Sequence, residues 1–249
     1  MKRRSNAYWE RRALERMVEY QRQSEAVIRQ IWGSYNKAQN DIENMILRIF
    51  NRFAKDGELT PDEAKRILNE PISRKEWLKI KEQIKTIKDP KIRRRLLNRL
   101  NAPAYRARIT RLQALREQIY IQSKIIADVE TRLATTGFQN IITEAYTMTM
   151  FDIQKGLGVG FAFAAMPTKT VETILKRPWS GHHFSTRIWG NTDELARQVS
   201  RIVTAGFMSG IGSRKMVQEL QERFNVGKHA ANRLIRTEVT YMANAAEME

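Results

Sequence analysis

Cysteine is absent from the 249 residues, and histidine occurs only three times. The first absence excludes a disulfide framework, thiolate zinc sites, iron–sulfur clusters and a cysteine nucleophile, and it suits a reducing compartment. The second leaves metal chemistry few ligands. Long apolar runs are missing too. The best candidate, 156-GLGVGFAFAAMP-167, offers about a dozen residues against the roughly 20 that span a bilayer as a helix, and it reads as a buried loop or short extended segment. Its glycines at 156, 158 and 160 lack the third position of the dinucleotide fingerprint, which excludes a Rossmann reading. No leader pattern is visible either: Met1–Arg4 runs straight into the amphipathic NAYWERRALERMVEY, with no apolar core and small-residue cleavage site, so the chain is expected to be cytosolic when made. Negative charge is the last scarcity, with 27 Asp and Glu against 44 Lys and Arg.

What remains is enough for a folded protein. The length fits one large or two small domains, and 42% hydrophobic content is enough for a core. The net charge of +17 and a pI near 10.3 exceed what solubility needs and predict attraction to a polyanion. That charge is uneven: residues 1–130 carry 30 basic against 17 acidic side chains, while residues 131–249 carry 14 against 10.

Periodicity predicts helices nearly throughout. The first 45 residues place Trp9, Leu14, Met17, Val18, Val27, Ile28 and Ile31 at helical spacing, with Gly33 as the first breaker, and a second helix is expected across Ile42, Met45, Ile46, Ile49, Phe50 and Phe53 until Asp56-Gly57 ends it. In 56-DGELTPDEAKRIL-68, Thr60 supplies a helix cap, Pro61 the first helical position and Glu63 the return half of a capping box. The same letters fail as a calcium loop, because aligning Gly57 with its sixth position puts Arg52 and Ala54 where oxygen ligands belong. The run 91-KIRRRLLNRLNAPAYRARITRLQALR-116 holds nine basic residues and no acidic one, with leucines and isoleucines interleaved at helical intervals and Pro103 dividing it into two helices. It is either a solvated cationic face or a phosphate-tracking surface. On the second reading Lys91, Arg93, Arg94, Arg95, Arg99, Arg106, Arg108, Arg111 and Arg116 are the candidates for non-specific contact with double-stranded DNA. A long helical pattern then covers residues 105–155, weakest at Gly137.

Three short helices are expected toward the C-terminus. Asn191 or Thr192 caps the first, Gly206, Gly210 and Gly212 break it, Ser213 caps the second, and Gly227 turns into the third, 228–249. Within this region Trp179, the stretch 184-FSTRIWGN-191, the helix-Gly-x-x-Gly-x-Gly-Ser-helix passage and 236-RTE-238 resemble the phage head morphogenesis family of minor capsid proteins, the broad Mu F-like group. The likeness covers residues 179–246 and extends more loosely over the helical N-terminal part. It implies a low-copy structural protein of a tailed bacteriophage virion, made in the host cytoplasm and lying inside the capsid at the portal vertex. The implied partners are the portal protein, the major capsid or scaffold protein, and packaged phage DNA; members are also implicated in DNA ejection. Family members usually continue past the helix that bears Arg-Thr-Glu, so the likeness also implies a chain cut short at Glu249.

No catalytic, cofactor or metal site is expected. In 178-PWSGHHFSTRIWGN-191 the adjacent His182 and His183 echo the opening of a His-Asn-His nuclease, but His229 is 46 positions beyond His183, and Asn191 and Asp193 fall too early to serve as the later ligands. The competing reading makes Trp179, Phe184, Ile188 and Trp189 packing anchors, with Arg187 and Arg236 pairing with Glu238 or Asp193 to fix neighbouring helices. Trp179, Phe184, Arg187, Trp189, Arg236, Thr237 and Glu238 are therefore the structural and docking candidates. Two rivals stay open. One is a sequence-specific helix-turn-helix in 216-MVQELQERFNVGKHAANRLIRTE-238, with Gln221 where a small residue is wanted and Asn225 at the turn. The other is a membrane-active ejection protein using residues 156–167 with the cationic helices. The expected architecture is mainly α: a basic, elongated helical N-terminal region over residues 1–104, a long helix and apolar connector over 105–178, and a compact three-helix unit over 179–249.

Overall fold

The computed structural model describes residues 5–54, 59–102 and 109–249. Arg106, Arg108, Pro103 and the Asp56-Gly57 stop signal lie outside the described residues. The fold is mainly α: the described residues form helices α1 (Asn6–Phe53), α2 (Pro61–Asn69), α3 (Arg74–Lys85), α4 (Pro90–Leu100), α5 (Arg111–Leu157), α6 (Thr168–Lys176), α7 (Phe184–Met208) and α8 (Ser213–Glu247). Among them the one β-type pairing is an isolated antiparallel bridge between Pro71 and Thr110.

Two compact units emerge, and each draws on separated stretches of sequence. The first comprises Met1–Ile31, Thr131–Arg187 and Ala231–Glu249; the second comprises Trp32–Glu130 and Ile188–Ala230. Their members come from all three of the linear segments expected above.

The helices are longer and fewer than the breakers in the sequence imply. α1 passes Gly33 without interruption, because Ile28, Ile31, Tyr35, Ala38, Ile42, Met45 and Ile49 form one buried stripe at alternating three- and four-residue steps. An exposed glycine costs such a helix only about 1 kcal/mol, which this burial outweighs. α2 begins as its sequence dictates: Thr60 accepts from the Glu63 backbone N–H while the Glu63 carboxylate accepts from the Thr60 N–H at 3.0 Å. Ser73 and Glu76 build the same reciprocal cap on α3.

At the C-terminal end the expected three helices are two. α7 starts at Phe184 rather than at Asn191 or Thr192, because His183 caps it: the imidazole Nδ1 accepts from the Ser185 backbone N–H at 3.2 Å. Thr192 sits inside the helix, fully buried, its hydroxyl donating back to the Ile188 carbonyl at 3.1 Å. Residues that cap well also bond backward within a helix, and the apolar series Phe184, Ile188, Leu195, Val199, Val203 decides between the two uses. The helix ends where Gly210 adopts φ 70°, a conformation costly for other residues.

α8 then runs through Gly227 unbroken. That glycine serves close approach: a Cβ there would lie 2.9 Å from Cε1 of Tyr35 and 3.4 Å from Leu195. The Tyr35 ring is fully buried and its hydroxyl donates to Glu130 at 3.0 Å, so it has no room to yield. Gly227→Ala is therefore expected to destabilise the protein by about 1–2 kcal/mol in urea unfolding, the overpacking outweighing the gain in helix propensity of about 1 kcal/mol.

In the second unit, α3 and α4 pack as a hairpin against the start of α5. Ile80, Ile84, Ile87, Leu96, Leu100, Ile109, Ala114 and Ile121 form its core. Buried Asp128 of α5 holds the turn, its two carboxylate oxygens accepting from the backbone N–H groups of Lys88 and Asp89 at 3.0 Å each.

Candidate functional site

The α3–α4 hairpin carries the densest positive charge, eleven basic against three acidic residues between Arg74 and Arg99. All three acids are used internally. Glu76 closes the α3 cap and bonds Arg111, Glu82 pairs with Lys85 at 2.6 Å, and Asp89 caps α4 by accepting from the Lys91 and Ile92 N–H groups. The side chains of Arg74, Lys75, Lys79, Lys88, Lys91, Arg94 and Arg95 are exposed and make no hydrogen bond or ion pair among the described residues. Lys91, Arg94, Arg95 and Asn98 fall at i, i+3, i+4 and i+7, one continuous stripe on the face of α4 opposite buried Leu96 and Leu100.

The DNA-contact candidates thus divide by geometry. Lys91, Arg94 and Arg95 face water. Arg93 is half-buried and donates to the Ile87 carbonyl at 3.3 Å. Arg99 pairs with Glu117 over the Tyr120 ring. Arg111 is a structural cation: its side chain is 12% exposed, lies against Phe53, and pairs with Glu76 at 3.3 Å and Glu70 at 3.7 Å. Arg116 is exposed but donates to the Thr204 hydroxyl at 3.2 Å. The exposed Lys75, Lys79 and Lys88 lay outside the acid-free run; the charge count over the whole hairpin was the signal that could have found them.

The first unit gathers most of the docking candidates into one cluster. Arg187 and Glu238 form an ion pair in which the carboxylate is almost completely buried. The Trp179 indole N–H donates to the other Glu238 oxygen at 3.0 Å, and the Trp179 ring stacks on Tyr241 with centroids 4.8 Å apart and planes 10° from parallel. Phe184 meets Phe138 edge-on at 5.1 Å. Arg236 bonds Glu25 at 3.1 Å rather than Glu238 or Asp193, and its carbonyl accepts from Gln21. The Thr237 hydroxyl donates to the Arg233 carbonyl at 2.8 Å. Thr237, Trp179, Arg236 and Tyr241 line a shallow pocket of about 540 Å³. Trp189 does not join this cluster: it belongs to the second unit, where the Lys124 ammonium sits 5.2 Å from its ring centroid and pairs with Asp193.

His183 is held at both nitrogens, Nδ1 by Ser185 and Nε2 by the Leu175 carbonyl at 3.0 Å, while His182 is exposed. No group of three or more His, Asp or Glu side chains that could hold a metal occurs among the described residues. The helix-turn-helix reading is overturned, since residues 216–238 lie within one uninterrupted helix and Asn225 makes no turn. Comparison with protein-family models, with curated proteins and with solved structures found no match for the chain.

Proposed function

We propose that this chain is a minor capsid protein of the head morphogenesis type, a non-enzymatic component of a tailed-phage virion. It lies inside the head at the portal vertex and assists assembly and the packaging or ejection of the genome. In this reading the Trp179–Arg187–Glu238 cluster is a rigid docking body for the portal or another capsid partner. The α3–α4 hairpin rests against the DNA backbone without reading its sequence.

One observation carries the DNA half of the proposal: every carboxylate of the hairpin is closed internally, so its seven exposed, unpaired cations face outward without local neutralisation. Cations arranged this way displace the counterions condensed on DNA, and affinity then falls steeply with salt. The resemblance in Trp179, FSTRIWGN and Arg-Thr-Glu supports the virion half, and within the first unit Trp179, Arg187 and Glu238 of those stretches serve packing and pairing.

Arg94→Glu/Arg95→Glu is the test. In DNA binding across a salt series, it is expected to weaken affinity about 10-fold or more and to reduce the slope of log K against log salt by about two, equally on unrelated sequences. Co-purification with a portal ring should stay unchanged. A slope that does not move removes the hairpin from the DNA contact. Failure of the unmodified protein to bind a portal ring removes the capsid assignment.

A further inference from the structure

The C-terminal end of α5 and the strap that follows it expose apolar side chains in the first unit. Leu157 is 66% and Val159 53% exposed, and Phe151 and Phe161 are nearly half exposed. This corrects the expectation that residues 156–167 are buried: among them only Met166 is. The strap has a fixed path. The N–H groups of Gly158 and Val159 both donate to the Gln154 carbonyl, at 2.9 and 3.2 Å, and the Gln154 amide donates to the Phe161 carbonyl. The Trp9 ring lies 3.2 Å from where a Cβ on Gly156 would be. The apolar groups are therefore displayed by an ordered backbone.

Charge identifies what covers them. Residues 153–171 contain no carboxylate, and Lys155 and Lys169 are their only charged side chains. The acids at either end are closed, Asp152 by Arg12 at 2.7 Å and by Arg16, and Glu172 by Lys176 at 2.9 Å. Contiguous exposed apolar surface marks a contact site. When the only charges its own segment carries are lysines, it matches a bilayer surface, where apolar side chains enter the acyl boundary and ammonium groups meet anionic headgroups. We propose that this end of the first unit docks on an anionic lipid surface through Phe151, Leu157, Val159 and Phe161, with Lys155 and Lys169 at the headgroups. The contact is interfacial; no described helix is long and apolar enough to cross a membrane. It stands independently of the capsid and DNA assignments.

The test is flotation with vesicles of phosphatidylcholine and phosphatidylglycerol, run at low salt and at about 0.5 M salt, where screening leaves charge attraction a reach of only about 4 Å. The unmodified protein should float under both conditions. Phe151→Asp/Phe161→Asp, with an unchanged circular dichroism spectrum, should lose at least about 10-fold in binding, and Lys155→Glu/Lys169→Glu several-fold at low salt. Arg94→Glu/Arg95→Glu should float normally. The proposal is overturned if no flotation occurs, or if binding vanishes at high salt and with the hairpin variant while the phenylalanine variant floats normally. It is likewise overturned if the patch proves to join two copies, seen as a dimer in light scattering that Phe151→Asp/Phe161→Asp converts to monomer without any flotation.

Discussion

Arg187→Met is expected to destabilise the protein by about 3–5 kcal/mol, the largest single loss among the substitutions considered. The reason is an asymmetry inside the ion pair. The Glu238 side chain is 2% exposed and cannot reach water, whereas that of Arg187 is 29% exposed. Without the guanidinium, the buried carboxylate keeps only the Trp179 N–H as a partner in the pair's place. Glu238→Gln should cost less, about 1–2 kcal/mol, because the amide oxygen still accepts from Trp179 and the cation can turn toward solvent. Arg187→Met/Glu238→Leu should recover most of the loss, since a desolvated ion pair contributes little more than well-packed apolar groups of similar size. Urea midpoints for the three variants decide the matter. An Arg187→Met variant no less stable than Glu238→Gln would mean that the pair does not hold the cluster.

The second large effect depends on pH. Burial pushes the Glu130 carboxyl from its ordinary 4.5 up to about 7, the Tyr35 hydrogen bond only partly opposing it, and burial together with the Glu130 charge raises the Tyr35 hydroxyl well above its usual range. The folded protein therefore holds a proton on Glu130 that the unfolded chain releases near pH 4.5. Its contribution is complete below that value and is lost as pH rises through 7, a change of about 3 kcal/mol over the window. Glu130→Gln keeps an acceptor for Tyr35 without acquiring charge. The variant should match the parent near pH 4.5 and exceed it by about 2–3 kcal/mol at pH 8. A stability difference that does not change between those pH values would place Glu130 in a solvated environment.

Local chemistry was legible in the sequence wherever the deciding residues are neighbours. The cap of α2 follows from Thr60, Pro61 and Glu63 alone, and the stripe of α1 from its own periodicity. The helix count was not legible. Gly33, Gly206, Gly227, Asn191 and Thr192 are ambiguous letters, each suited to a boundary or to a helix interior, and the burial of the apolar residues around them decides between the two. Tyr35 against Gly227 and the buried setting of Thr192 resolve two of these, and both depend on distant residues. The site divides in the same way. Trp179, Arg187 and Glu238 were singled out as anchors and do converge, but the choice of Glu25 for Arg236 spans 211 positions. Arg111 read as a DNA contact because its partners Glu70 and Glu76 lie 41 and 35 residues upstream, out of view of any local charge pattern.

Those long spans also govern how the protein is made. Gln21 bonds the Arg236 carbonyl and the Thr240 hydroxyl, and Glu25 bonds Arg236. At ordinary rates of translation, roughly 5–20 residues per second, the start of α1 waits about 10–40 s on the ribosome before its partners in α8 emerge. Its partners in α5, Glu144 and Asp152, emerge earlier, so only the face of α1 that meets α8 stays uncovered throughout that interval. The Trp179–Arg187–Glu238 cluster likewise cannot form until synthesis has passed Glu238.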